Sequence, residues 1–365
     1  MTQPLAGIRV IDFTTLLPGP MATLFLAEAG AEVTKVERPG GEDLRLFEPR
    51  FGKVAAAFAL LNRGKASLIA DLKNPTDFDR VKAKLQEADI LVEQFRPGVM
   101  QRLGLGYADV RAINPRLIYC SISGYGQNGP RAHEAGHDLN YVGQTGLLAL
   151  QSGPADRPVI PPALIADLGG GTFPAVINML LALRQRDRTG EGCHLDIAMT
   201  DSMFAIAWHA FAQGVATGRF FGSGESNLCG DYPRYQLYPT SDGRLVACGA
   251  LEEHFWRAFT AAIGLPESLR DDRIDPPATR AAIARLIAAR TADEWAPILA
   301  KADCCATIVR SLQEAMQDPH FVQRGLFEWK VEGADGATLP ALPLPISPQF
   351  RENPQIRKSA PGLRD

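Results

Sequence analysis

Residues 7–37, GIRVIDFTTLLPGPMATLFLAEAGAEVTKVE, decide the fold. GIRVIDF is a short apolar run rich in β-branched residues, which reads as a buried strand. Pro18-Gly19-Pro20 makes a turn, MATLFLAEAGA follows with helical character, and EVTKVE is a second strand. Together they form one β-α-β unit. Working outward, KASLIAD, DILVEQF and RLIYCSISGYG repeat the strand pattern, with a helix expected over roughly Thr76–Glu87. Strands alternating with helices predict an α/β chain built on a parallel, doubly wound, Rossmann-like sheet.

At 365 residues the chain exceeds what one core usually supports, so two domains are expected. A glycine-rich stretch after Ala166 enters a long buried helix stopped at Gly190, which puts a large domain at 1–190 and a linker at 191–224. YQLYPTSDGRLVACGA reads as a hairpin turning at Asp242-Gly243. The sequence then turns helical, so 225–325 is expected as a smaller α+β domain. The proline-rich segment 326–365 is expected to run back over the large domain.

The composition of 46% hydrophobic and 22% charged residues is that of an ordinary globular protein, and a net charge of -3 argues against nucleic acid or an acidic membrane as partner. The six cysteines include no CxxC pair, and the adjacent Cys304 and Cys305 cannot bridge without strain, so reduced thiols are expected. The first residues lack a basic segment leading into a long apolar run, and no stretch of eighteen uninterrupted apolar residues occurs, so a cytoplasmic location is expected.

His133-Glu134-Ala135-Gly136-His137 matches the H-E-x-x-H pattern of zinc proteases. That pattern needs a helix to put both histidines on one face, yet Gly124, Gly126, Gly129 and Pro130 precede it and Gly136 interrupts it. A loop is the better reading, and no metal is expected. His137, in GHDLNYVGQTG, follows a glycine-rich turn of the kind that gathers ligands at the carboxyl ends of parallel strands. Asp167, in IADLGGG, reads alone as a helix N-cap. Gly169-Gly170-Gly171 at a helix start could present free amides to a negative oxygen. No G-x-G-x-x-G follows the first strand, so NAD is not expected. Arg38, Arg63, Lys65, Lys73 and Arg96 recur in turns after strands and together could hold phosphates.

These motifs, with KVERPG, NRGKASLIADLK, ILVEQFRPGVMQRLGLGY, NPRLIYCSISGYGQNGP and YPTSDGRLVACGALEEHFW, run in order along nearly the whole chain. By them the chain resembles the class III coenzyme A transferases (CaiB/BaiF), and within that family the racemase branch. The resemblance implies two ring-like subunits interlocked as a homodimer, with CoA held by Arg38, Lys65, Leu72, Lys73, Arg96, Tyr125 and Gly126. It also implies an acyl-CoA substrate and no cofactor beyond the coenzyme A moiety. In transferases an aspartate matching Asp167 attacks the thioester and carries the acyl group as a mixed anhydride. In racemases it exchanges a proton with the carbon next to the thioester carbonyl, opposite a histidine matching His137, which a glutamate matching Glu252 hydrogen-bonds.

Racemisation needs two groups on opposite faces of one carbon, one taking a proton as the other delivers one. His137 and Asp167 would titrate as a coupled pair, and Glu252 would fix the imidazole tautomer. Backbone donors over 168–171 are expected for the enolate oxygen. The expected reaction is racemisation or epimerisation of 2-methylacyl-CoA thioesters, and the alternative is CoA transfer to a carboxylate with Asp167 as nucleophile. The stretch Asn227–Pro233 departs from the racemase pattern near the acyl pocket, and GSGE at 222–225 faintly resembles a transferase lid.

Overall fold

A computed structural model describes residues 3–151, 153, 156, 158–230 and 232–363. The chain divides into two compact units: the first holds Met1–Thr145, Pro162–Ile206 and Val322–Asp365, the second Gly146–Pro161 and Ala207–Phe321.

The first unit is built on six parallel strands, β1 (Arg9–Asp12), β2 (Glu32–Glu37), β3 (Ala66–Ile69), β4 (Ile90–Glu93), β5 (Ile118–Ser123) and β6 (His194–Ala198). They lie in the order β3-β2-β1-β4-β5-β6, with every neighbouring pair parallel. This is the doubly wound arrangement, whose order reverses between β1 and β4. All four residues of β4 and all six of β5 are buried, as expected of strands covered on both faces. Residues 194–198 fall in the expected linker 191–224. They form the sheet's edge strand instead, where alternate residues meet solvent and leave only a faint apolar signal.

Helix α1 (Pro18–Glu28) is buried at every position, which explains its largely apolar sequence. Pro18 and Pro20 fit its first turn, where amides lack intrahelical acceptors. Helix α2 (Pro75–Glu87) is capped by the Asn74 side chain and buries Val81 and Leu85. Helix α3 (Asp138–Gln144) follows the loop after β5. A seven-residue π-turn, Ala166–Thr172, then runs without a break into α4 (Phe173–Thr189), which stops at Gly190 with φ of +78°. This continuous helix is long and apolar enough to cross a membrane by length and composition, and it lies against α1, β5 and β6. The segment after Val322 closes the unit. Leu342, Leu344 and Ile346 pack in the α1 core, and Arg351 joins Arg63 in a buried ion pair with Glu28.

The second unit carries the antiparallel strands β7 (Tyr235–Pro239), β8 (Leu245–Gly249) and β9 (Ala306–Ile308). The β7–β8 hairpin turns through Gly243, whose φ of +78° suits glycine. Its core gathers Tyr238, Trp256, Phe259 and Trp295, and α5 (Glu253–Ala262) supplies two of these.

Candidate active site

Ligands of doubly wound folds settle at the carboxyl ends of the strands, where the strand order reverses. A cleft of about 460 Å³ lies there, a usual size for a small-molecule site. Its walls are Thr15, Leu16 and Pro18 after β1, Gln94–Pro97 after β4, Ile122–Gly124 at the end of β5, and Met199 after β6. Into it come Ala132, Glu134–His137, Asn140, Tyr141 and Asp167.

The turn after β1 is held from beneath by buried charges. Asp12 is fully buried and accepts from the Thr14 amide and hydroxyl, the Thr23 hydroxyl and the Lys65 ammonium. Lys35 bonds the Thr14 carbonyl and pairs with Glu42 at 2.9 Å, and Glu42 accepts the amide of Leu16 at 2.8 Å. These contacts hold Leu16 at φ +61°, a left-handed backbone that branched residues avoid. Burial raises the Asp12 carboxyl, but Lys65, Lys35 and the two threonines outweigh it and hold the group down at about 2.

His133–His137 are not helical, which removes the geometry a zinc-protease reading needs. His137 is the exposed residue before α3, and its amide donates to Asn140 Oδ1 at 3.0 Å. Asp167 is half-buried in the π-turn, an element that often marks functional sites. Its carboxyl is pushed up to about 6, first by burial and then by the nearby Asp138 carboxylate, with His137 opposing. The Tyr141 hydroxyl donates to the Gly136 carbonyl and is pushed up to about 12 by burial and by Asp167.

Three expectations need correction. Asp167 is not a helix N-cap, because it sits inside the π-turn and its amide donates to Asp138. The glycines of 168–171 do not form an open anion cradle. The amide of Leu168 is taken by the Leu164 carbonyl, and Gly170 and Gly171 are buried. A Cβ on Gly170 would lie 2.0 Å from the Met199 carbonyl oxygen, and one on Gly171 would lie 3.0 Å from Pro18, so these glycines allow close backbone packing. Lys65, third, offers nothing to a phosphate. Its ammonium is buried and bonded to Asp12, Pro20, Thr23 and Asn62.

Of the other expected CoA contacts, Arg96 lines the cleft, is exposed and makes no ion pair among the described residues. Tyr125 meets the Tyr141 ring edge-on at 5.3 Å, and Gly126 lies against Asp196. Arg38 is exposed at the end of β2 and paired with Asp43. Leu72 packs against the first unit's core and Lys73 is exposed. Glu252 belongs to the second unit, exposed at the residue before α5. In Asn227–Pro233, Asp231 lies outside the described residues. Two residues at the site escape a reading of the sequence. Asp138 is visible in the motif GHD but carries no pattern of its own. Ser123 presents a buried hydroxyl in the cleft wall with no hydrogen-bond partner among the described residues.

Fold and cleft define a doubly wound α/β protein with His137 and Asp167 lining one cleft at its switch point. The model of CoA-transferase family III matches residues 5–364, and the chain belongs to that family. It is 33% identical to alpha-methylacyl-CoA racemase of Homo sapiens, over 96% of this chain and 90% of that protein. It is 32% identical to acetyl-CoA:oxalate CoA-transferase of Acetobacter aceti, over 99% of this chain and 93% of that protein. The crystal structure of a CaiB/BaiF family protein from Brucella suis superposes with a TM-score of 0.81 at 31% identity, covering 95% of this chain and 93% of that one. The protein is thus an enzyme of the family III CoA-transferase and racemase superfamily.

Proposed function

We propose that this enzyme racemises or epimerises 2-methylacyl-CoA thioesters by moving a proton on and off the carbon next to the thioester carbonyl. One observation carries the reading: His137 and Asp167 line the same cleft, and Asp167 keeps its proton up to about pH 6. A carboxyl raised that far can both donate and accept a proton near neutrality, as can an imidazole. The thioester acidifies the carbon itself, so the reading needs no metal and no redox cofactor. Among the described residues the Ser123 hydroxyl has no hydrogen-bond partner and Arg96 makes no ion pair, and they are assigned to the carbonyl oxygen and the CoA phosphates respectively. Arg38, Lys73, Tyr125 and Gly126 complete the proposed CoA contacts, and Glu252 is proposed to orient His137. Exposed Ile177, Leu180 and Leu181 on α4 suit burial against a second copy in a cytoplasmic, interlocked homodimer.

One observation favours CoA transfer instead. The Asp167 carboxyl accepts no hydrogen bond among the described residues, so its oxygens are free to attack a thioester carbonyl, expelling CoA thiolate and leaving a mixed anhydride. Incubation with (2S)-2-methylacyl-CoA in deuterated water separates the two. The expected result is deuterium at C2 together with loss of enantiomeric excess. No exchange, with hydroxylamine trapping an acyl group on Asp167, would replace the racemase by the transferase.

A further inference from the structure

Asp138 follows His137 directly and opens α3, yet its carboxylate turns inward. The residue is 8% exposed, and Oδ1 accepts the amides of Ala166 at 2.6 Å and Asp167 at 3.0 Å. A first-turn acid ordinarily serves its own helix. This one serves the start of another helix, 28 residues further on. Amides at a helix start have no intrahelical acceptor, so a single carboxylate satisfies two of them and ties together the segments that bear His137 and Asp167. We propose that Asp138 is the positioning residue of this site, a buried bracket that sets the separation of the His137 imidazole and the Asp167 carboxyl across the cleft. The inference rests on the proton-transfer reading. Any slip of either segment stretches a charge-assisted hydrogen bond to a buried oxygen, which holds the pair in register.

The same carboxylate shapes the proton affinity of Asp167. Burial raises that group most and Asp138 adds to it, while His137 lowers it. Of the other charged and titratable groups near the π-turn, Arg96 lines the same cleft and makes no ion pair among the described residues. Tyr141 bonds the Gly136 carbonyl, Asp196 on β6 accepts the Gln127 amide, and Asp201 opens the helix after β6. The sole charge on α1, Glu28, is paired with Arg63 and Arg351.

Asp138→Asn tests the inference, because asparagine keeps an oxygen for both amides and loses the charge. Carbon-13 NMR of labelled aspartates, assigned with Asp167→Asn, reads the Asp167 midpoint directly and without substrate. The midpoint is expected to fall by about one pH unit, remaining above the ordinary range because burial persists. The acid limb of kcat/KM is expected to move with it. In the unaltered protein the Ala166 and Asp167 amides are expected to exchange slowly, and in Asp138→Ala about tenfold faster or more. An unmoved midpoint in Asp138→Asn overturns the inference. Should that variant fail to fold, fast exchange of the two amides in the unaltered protein overturns it equally. Absence of C2 exchange in the unaltered protein would instead sink the proton-transfer reading, leaving the NMR result to judge the bracket.

Discussion

Gly170→Ala probes how Asp167 is held. The added Cβ would lie 2.0 Å from the Met199 carbonyl oxygen, 2.8 Å from its carbon and 3.0 Å from its Cα, all backbone atoms that cannot rotate away. Real Cβ atoms essentially never approach within 3.0 Å, so the π-turn must retreat from Met199 by about 1 Å. Overpacking of this kind costs about 1–3 kcal/mol. Asp167 stands three residues earlier in the same turn, and a displacement near 1 Å at a reacting group lowers the rate about a hundredfold. Gly169→Ala is the control. Its Cβ would meet only the Ile206 Cδ1 at 2.8 Å, the mobile end of a side chain, so it should stay within about threefold of the parent. Urea unfolding gives the stability and deuterium entry at C2 gives the rate. A Gly170→Ala enzyme matching the parent in both would refute the close-packing account of the glycine run.

Arg96→Ala should weaken CoA binding about tenfold or more, measured by titration calorimetry, with stability unchanged because the side chain makes no ion pair among the described residues. Lys65→Met should lower stability by about 3–5 kcal/mol by stranding Asp12, while the folded fraction binds CoA normally; a specific loss of affinity would restore Lys65 to the phosphate site. Buried Glu93 is raised to about 7 by its burial, so its stabilising balance is intact at acid pH and is lost as pH rises through 7. Glu93→Gln should therefore add about 2 kcal/mol at pH 8 and little at pH 4, and urea unfolding showing equal effects at both would contradict the assignment. Racemisation should decline as pH falls through about 6, where Asp167 takes up its proton, and a flat rate from pH 5 to 8 would remove Asp167 from the proton path.

The doubly wound sheet is legible because its strands are short, apolar and separated by turn residues, as in GIRVIDF and DILVEQF. The edge strand 194–198 escapes because one side is solvated and its apolar alternation is only five residues long. His137 and Asp167 are visible through the motifs around them. What holds them is not, because burial and hydrogen bonding depend on tertiary neighbours: Lys65 and Arg96 look alike in sequence, yet one is locked beneath β1 and the other lines the cleft. The glycine run is equally ambiguous, since open amides and close backbone packing require the same residue. Only Met199 beside Gly170 decides between them.

The Glu28 ion pair with Arg63 and Arg351 joins residues 323 positions apart, and that has a consequence for synthesis. A ribosome delivers Glu28 323 residues before Arg351, with residues 207–321 of the second unit emerging between them. At about 5–20 residues per second, that interval is on the order of tens of seconds. Throughout it the nascent sheet lacks its final cover and α1 keeps a buried carboxylate short of one partner, while the second unit can already close around its own core.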